Sequence, residues 1–176
     1  MKIGVISDTH IGNLSEGVEL LELLDRELFH DAEAILHAGD VVHPDLLDCF
    51  ADRPIIGVRG NCDQASTGLP QQRVCEFADF RIGLIHGWGR PTGFFDNIVS
   101  AFDGYRLDVL VFGHTHFPLC RRQGELLLFN PGSAIDRREA PYHTVGILHL
   151  DKEVRGEIVN IDRYLNVMPE QYGGCA

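Results

Sequence analysis

The stretch that decides the fold class is KIGVISDTH, residues 2–10. It begins with a short apolar run containing β-branched side chains, which is typical of a buried strand. The run ends at Ser7-Asp8-Thr9-His10, so that a carboxylate and an imidazole follow the strand directly. Such an ending predicts a binding site at the carboxyl end of a sheet, where open α/β sheets hold their ligands.

Four further apolar runs end in residue types that bind metal ions. They lead into His37-Ala38-Gly39-Asp40, Arg59-Gly60-Asn61-Cys62-Asp63, His86-Gly87 and Gly113-His114-Thr115-His116. Because the ends of neighbouring strands meet at one edge of a sheet, we expect these side chains to line a single pocket. The predicted metal ligands are Asp8, His10, Asp40, Asn61, His86, His114 and His116.

The spacing of apolar runs predicts an α/β fold with a mixed sheet, since strands and helices alternate early and strands dominate later. Two packed sheets flanked by helices would accommodate the strands. The predicted strands are 3–7, 34–37, 55–58, 82–85, 109–112, 126–129, 144–150 and 154–161.

Three segments carry helical periodicity. Residues 15–29 place four leucines on one face, with Ser15 as the predicted N-cap. Pro44 suits the first position of a short helix that runs through residue 51. Residues 93–103 follow a Gly- and Pro-rich loop and have apolar side chains at helical spacing.

Composition limits the classes of function. The 176 residues have 44% hydrophobic content, which predicts one domain over 1–176. The formal net charge is −11 without any Lys/Arg run, so long nucleic acid is a poor partner. The five cysteines never form Cys-x-x-Cys, which argues against a disulfide framework or a thiolate zinc site. No apolar stretch suits a signal peptide or membrane span, so we expect a cytoplasmic protein.

The donor set indicates the kind of metal centre. Oxygen and imidazole donors without thiolate suit manganese, iron, zinc, cobalt or nickel, and seven donors are too many for one tetrahedral ion. We therefore expect two divalent ions, manganese foremost. A pair about 3.5–4 Å apart can hold a hydroxide nucleophile and clamp the oxygens of a displacement at phosphorus.

The ordered blocks Asp-x-His, Gly-Asp, Gly-Asn-x-Asp, His and Gly-His-x-His resemble the calcineurin-like metallophosphoesterase family. Asn130-Pro131-Gly132-Ser133 resembles the segment that follows them in its small single-domain phosphodiesterase branch. The resemblance implies a four-layer α/β/β/α sandwich with two mixed sheets. It implies a first metal on Asp8, His10 and His116, a second on Asn61, His86 and His114, and Asp40 as the bridge. Asp40, Asn61 and His114 are the predicted catalytic residues.

Two departures from the family pattern bear on the substrate. Cys62 stands where much of the family has the His that protonates the leaving group, so we expect a preference for alcohols that leave well. The Arg that follows Gly-Asp in protein phosphatases is absent, which argues against phosphoprotein substrates. Asn13, His37 and Asp63 are candidates for supporting or substrate contacts, and Trp88 and Arg90 are candidates for the substrate entrance.

The leading hypothesis is a hydrolase that acts on small phosphodiesters. The alternatives are a protein-binding scaffold, because a retromer subunit resembles the same fold, and a small nuclease. Retention of all seven ligand positions favours the enzyme over the scaffold, and the acidic charge disfavours the nuclease. The oligomeric state is left open, with a homodimer among the alternatives.

Overall fold

A computed structural model of the protein describes residues 1–50, 52–89 and 92–165. These residues form two five-stranded sheets, with strand orders β10-β9-β1-β2-β3 and β4-β5-β6-β8-β7. The strands are β1 (Lys2–Ile6), β2 (Ala34–His37), β3 (Ile55–Gly57), β4 (Gln72–Phe77), β5 (Phe80–Ile85), β6 (Val109–Phe112), β7 (Leu119–Gln123), β8 (Leu126–Asn130), β9 (Thr144–Leu150) and β10 (Val154–Asn160). Both sheets contain parallel and antiparallel pairs, as expected for a mixed architecture.

Helices occupy the three segments predicted for them, and also residues 65–67 and 162–165, for which no helix was predicted. They are α1 (Leu14–Leu24), α2 (Phe94–Ser100) and α3 (Asp162–Leu165), with a π-helical turn at Asp25–Phe29 and 3₁₀ turns at Pro44–Phe50 and Ala65–Thr67. The predicted N-cap Ser15 is wrong. Asn13 caps α1 instead, because its side chain accepts the Ser15 backbone N–H at 3.1 Å, and Ser15 lies inside the first turn.

The apolar side chains form three groups that define four layers. One group lies between the sheets and includes Val5 and Leu36 from the first sheet with Val111 and Phe129 from the second. A second group packs the leucines of α1 against the outer face of the first sheet. The third packs α2 against the outer face of the second sheet. The predicted α/β/β/α sandwich is confirmed.

Parallel pairing positions the site. In the first sheet β1, β2 and β3 run parallel, and in the second β5, β6 and β8 do. Each of these strands therefore delivers its following loop to the carboxyl edge of its sheet. The five loops that carry the predicted ligands all lie at these edges.

Two strands, β4 and β7, have no counterpart among the predicted apolar runs. Both lie at an edge of the second sheet, where one side of the strand has no partner. Most of their side chains are exposed or half-buried, so their sequences are polar and lack the continuous apolar character of the central strands.

Candidate metal centre

Asp8 and His116 join the two sheets at the centre of the site. Asp8 follows β1 in the first sheet, whereas His116 follows β6 in the second. The His116 Nε2 atom lies 3.2 Å from Asp8 Oδ1. His10 completes this cluster, since its Nε2 atom lies 3.1 Å from His116 Nε2 and 3.9 Å from Asp8 Oδ1. The structure thus brings the first predicted ligand set together.

A second cluster forms around the Asn61 side chain. Its Oδ1 atom lies 3.1 Å from His86 Nε2 and 3.0 Å from His114 Nδ1. These residues follow three different strands, β3, β5 and β6. The second predicted ligand set is therefore also in one place.

Asp40 lies between the two clusters. Its Oδ2 atom is 3.5 Å from His10 Nε2 on one side and 3.3 Å from His86 Nε2 on the other. Its Oδ1 atom accepts the Cys62 backbone N–H at 2.7 Å, which fixes the carboxylate plane. This is the position that a bridging carboxylate would need.

Backbone carbonyls set the tautomers of the histidines. His86 Nδ1 lies 2.8 Å from the Ala38 carbonyl, and His116 Nδ1 contacts the carbonyl of Asp136. Each Nδ1–H therefore donates outward, which leaves the Nε2 lone pair directed into the site. His114 has the opposite arrangement, because its Nε2 faces the Gly89 carbonyl at 3.4 Å and its Nδ1 points inward.

Several of these inward atoms are acceptors that face one another. Asn61 donates its Nδ2–H to the Cys62 Sγ at 3.2 Å, so its Oδ1 faces the lone pairs of two imidazoles. His10 and His116 likewise place two ring nitrogens 3.1 Å apart. Facing lone pairs repel unless a proton or a cation lies between them. The donor set therefore fits divalent metal ions, with imidazole and oxygen ligands of the kind that first-row transition metals prefer.

Four of the predicted ligands have pKa values shifted toward the form that coordinates a metal ion. Burial alone would raise the pKa of Asp8, but its contacts with His116, His86 and Ser7 together outweigh burial and hold that pKa below its usual value. Contacts with His86, His10 and the Cys62 backbone N–H together hold the pKa of Asp40 low in the same way. Burial lowers the pKa of His10 and of His114, which favours their neutral, coordinating forms.

The backbone at the site is in an uncommon conformation. Five predicted ligands have positive φ: Asp8 (52°), His10 (45°), Asp40 (57°), His114 (70°) and His116 (58°). The left-handed conformation costs L-residues about 1–2 kcal/mol each, so these turns persist only because the surrounding contacts hold them. Backbone strain of this kind is concentrated at functional sites.

Asp63 and Ser133 provide part of that support. The Asp63 carboxylate accepts the backbone N–H groups of Gly60, Asp40 and Val42 at 2.8, 2.9 and 2.7 Å, and it thereby ties two ligand loops together. The predicted orienting role of Asp63 thus corresponds to direct hydrogen bonds. Ser133 Oγ donates to the Asp8 carbonyl at 2.7 Å from a position 125 residues further along the chain.

Ser7 and Asp136 also contact the ligands, although neither was predicted as a site residue. Ser7 Oγ donates to Asp8 Oδ2 at 2.5 Å, and the Asp136 carboxylate lies 3.5 Å from His116 Nδ1. The one sequence feature that points to Ser7 is its position directly before a predicted ligand. Asp136 has no such feature, because its loop reaches the site only through the tertiary fold.

Two candidate supporting residues have structural roles. Asn13 caps α1 and also donates to Glu16 Oε1 at 3.0 Å. His37 is buried, with Nδ1 accepting the Gly39 backbone N–H at 3.1 Å and Nε2 3.2 Å from Thr9 Oγ1. It links the loop after β1 to the loop after β2 and does not face solvent.

Cys62 is exposed at the site, and Trp88 is exposed in the loop that follows His86. Desolvation and the negative charge of Asp40 raise the pKa of the Cys62 thiol to about 11, so it is a weak acid. Trp88 is 51% exposed and lies two residues after His86. It does not pack over the core. Arg90 lies outside the described residues.

The architecture and the donor set define a metallophosphoesterase fold. The family model of the calcineurin-like phosphoesterase superfamily domain matches residues 1–153. The chain belongs to this family. Among the described residues, no helix is long and apolar enough to cross a membrane.

Similar proteins place the chain in the small phosphodiesterase branch. A probable metallophosphoesterase of Methanothermobacter thermautotrophicus is 40% identical over 158 residues, covering 87% of this chain and 88% of that protein. Phosphodiesterase YfcE of Escherichia coli is 30% identical, covering 76% of this chain and 79% of its own length. The solved YfcE structure superposes with a TM-score of 0.64 at 26% identity and covers 92% of this chain and 100% of its own.

The fold also occurs in a vacuolar sorting protein. The structure of Vps29 from Entamoeba histolytica complexed with Zn²⁺ superposes with a TM-score of 0.65 and covers 92% of this chain and 100% of its own. Its sequence identity to this chain is 23%, which shows likeness of fold alone.

Proposed function

We propose that the protein is a phosphodiesterase that uses two divalent metal ions, manganese foremost, to hydrolyse small phosphodiesters. One observation carries the proposal: seven donor side chains from five loops converge at the edges of two sheets, with Asp40 between two clusters. Membership of the metallophosphoesterase family supports the same chemistry.

The residues divide the work as follows. Asp8, His10 and His116 would hold one ion and Asn61, His86 and His114 the other, with Asp40 shared. Ions bound there would supply a water deprotonated near neutral pH and stabilise the charge that develops on the phosphoryl oxygens. The carbonyl contacts of His86 and His116 aim the Nε2 lone pairs of these two ligands into the site.

Electrostatics favours a small anionic substrate. Two divalent ions carry four positive charges, and the carboxylates of Asp8 and Asp40 compensate two of them. A local positive charge thus remains within a chain of formal net charge −11. A compact phosphodiester can enter such a pocket, whereas a long polyanion would meet the surrounding negative field.

The test is hydrolysis of bis(p-nitrophenyl) phosphate by purified protein with Mn²⁺, beside a chelator-treated sample and p-nitrophenyl phosphate. We expect diester cleavage that is lost with the chelator, returns with Mn²⁺ and exceeds cleavage of the monoester. An Asn61→Ala variant should lose the activity, since Asn61 Oδ1 is a proposed metal ligand that lies beside both His86 and His114. Activity that survives chelation would refute metal dependence, and bound metal without turnover would favour the scaffold alternative.

A further inference from the structure

Cys62 is a donor that the proposed reaction leaves unused, and it lies beside two donors that the reaction uses. Its Sγ atom, a ring nitrogen of His10 and a carboxylate oxygen of Asp40 all lie within 4.8 Å of one another. The three residues follow three different strands, β3, β1 and β2. A sulfur, a nitrogen and an oxygen at this separation have the spacing of ligands around one metal ion.

The position of the thiol is fixed by its own loop. The Cys62 backbone N–H donates to Asp40 Oδ1 at 2.7 Å, and Asn61 Nδ2 donates to the sulfur at 3.2 Å. His10 Nε2 lies 3.5 Å from Asp40 Oδ2 on the neighbouring side. Cys62 is exposed while Asp40 is buried, so the group opens to solvent at the mouth of the site.

We infer that Cys62 is a metal-selectivity residue, which with His10 and Asp40 forms a thiolate-containing site for Zn²⁺ or Cd²⁺ at the mouth of the centre. The inference rests on the proposed function, because two of the three donors are shared with the proposed catalytic ions. On binding, the thiol proton passes to solvent and a sulfur–metal bond forms, without a change of oxidation state.

Ligand softness gives this site its selectivity. Thiolate favours Zn²⁺ and other soft or borderline ions, whereas Mn²⁺ prefers oxygen and gains little from sulfur. Manganese would therefore occupy the seven-donor centre and leave Cys62 as a thiol. Zinc would instead bind Cys62 together with His10 and Asp40. These two residues would then no longer be available as ligands of the catalytic ions, and the bound zinc would block entry of the substrate. Zinc is thus an inhibitor of the manganese-loaded protein.

Cobalt reports the sulfur ligand directly. The chelator-treated protein is titrated with Co²⁺ while visible d–d bands and the near-ultraviolet thiolate-to-cobalt charge-transfer band are recorded. We expect both bands in the natural protein and only the d–d bands in Cys62→Ser. The control is Cys120→Ser, which removes another exposed thiol on β7 and should keep both bands. Cys175→Ser serves the same purpose for the cysteine outside the described residues.

The outcomes separate this inference from the proposed function. Visible bands without a charge-transfer band, or a charge-transfer band that persists in Cys62→Ser, would overturn the thiolate site and leave the metal centre intact. Failure to bind Co²⁺ at all would overturn both.

Inhibition provides a second readout. With Mn²⁺ present, the Zn²⁺ concentration that halves the rate is expected to rise by about 10-fold or more in Cys62→Ser, the scale typical of a lost metal contact. Equal inhibition of Cys62→Ser and Cys120→Ser would contradict the inference.

Discussion

At the level of single residues, the site is held by backbone conformations that most side chains avoid. The turns at Asp8, Asp40 and His114 are left-handed. A glycine packs against the carboxylate of Asp8 and another against that of Asp40. A Cβ atom at Gly60 would lie 2.1 Å from Asp40 Oδ1, and one at Gly113 would lie 2.6 Å from Asp8 Oδ2. Glycine is required at these positions because the backbone itself touches the ligand carboxylates.

Gly60→Ala should therefore displace Asp40 and weaken metal binding. We expect affinity for Mn²⁺ to fall by about 10–100-fold, the range seen when a residue that orients a ligand is changed. Isothermal titration of the chelator-treated protein with Mn²⁺ measures the effect. Gly12→Ala is the matched control, because a Cβ atom there meets nothing within 4 Å. Equal affinities in the two variants would show that the close approach at Gly60 has no influence on Asp40.

Cys62 should set the dependence of rate on the leaving group. Its thiol, with a pKa of about 11, is a weak acid for protonating an alkoxide. An imidazole at this position can donate a proton near neutral pH. In Cys62→His, hydrolysis of diphenyl phosphate should gain on hydrolysis of bis(p-nitrophenyl) phosphate by up to about 10², the lower range of general-acid catalysis.

The ratio of the two rates is the informative quantity, since a general loss of activity changes both equally. Cys120→His places the same imidazole on an exposed strand away from the site and should leave the ratio as it is. An unchanged ratio in Cys62→His would mean that protonation of the leaving group does not limit the reaction.

At the level of elements, the central strands were predictable and the two edge strands of the second sheet were not. β2 and β6 are buried along their whole length and β1 from its second residue onward, so their sequences contain continuous apolar runs whose ends locate the ligand loops. β4 and β7 have one unpaired side and mixed polarity, and sequence periodicity does not distinguish them from loops. The cap of α1 was displaced by two residues because Asn13 and Ser15 are both good N-cap residues.

His37 links the loop after β1 to the loop after β2, and its titration makes this contact sensitive to pH. Burial lowers its pKa to about 4, from 6.5 for an exposed imidazole. In the unfolded chain His37 becomes protonated below about pH 6.5, whereas in the folded protein it stays neutral down to about pH 4. The free energy of unfolding is expected to fall over this window as pH decreases, by up to about 3 kcal/mol from this residue.

Urea unfolding of the metal-free protein at pH 7 and pH 5 measures this contribution. His37→Asn keeps an acceptor for the Gly39 N–H but cannot titrate, so its stability should depend less on pH than that of the natural protein. His30→Asn changes an exposed histidine and should retain the natural slope. The same slope in both variants would contradict the assignment to His37.

At the level of the whole molecule, the ligand residues could be predicted from sequence because each follows a strand that its apolar run reveals. Apart from Asp63, the residues that support them could not. Ser133 contacts Asp8, which lies 125 residues earlier in the chain. Asp136 contacts His116 from a different loop. The burial of His37 likewise depends on how the sheets pack. Short-range patterns carry no information about such contacts, because they arise only when the two sheets come together.

The assembled centre should stabilise the whole fold when it binds metal. The native protein gathers facing acceptors that repel one another, and the unfolded chain does not. Mn²⁺ at about 100 times its Kd is expected to add about 2.7 kcal/mol to the free energy of unfolding, which raises Tm by about 5–10 °C for a chain of this size. Asp8→Asn should lose most of this shift, since the Asp8 carboxylate contacts His116 and accepts the backbone N–H of His114. Asp103→Asn, an exposed carboxylate, should keep it. A Tm that does not respond to Mn²⁺ in the natural protein would mean that these donors do not act as a metal centre in the folded state.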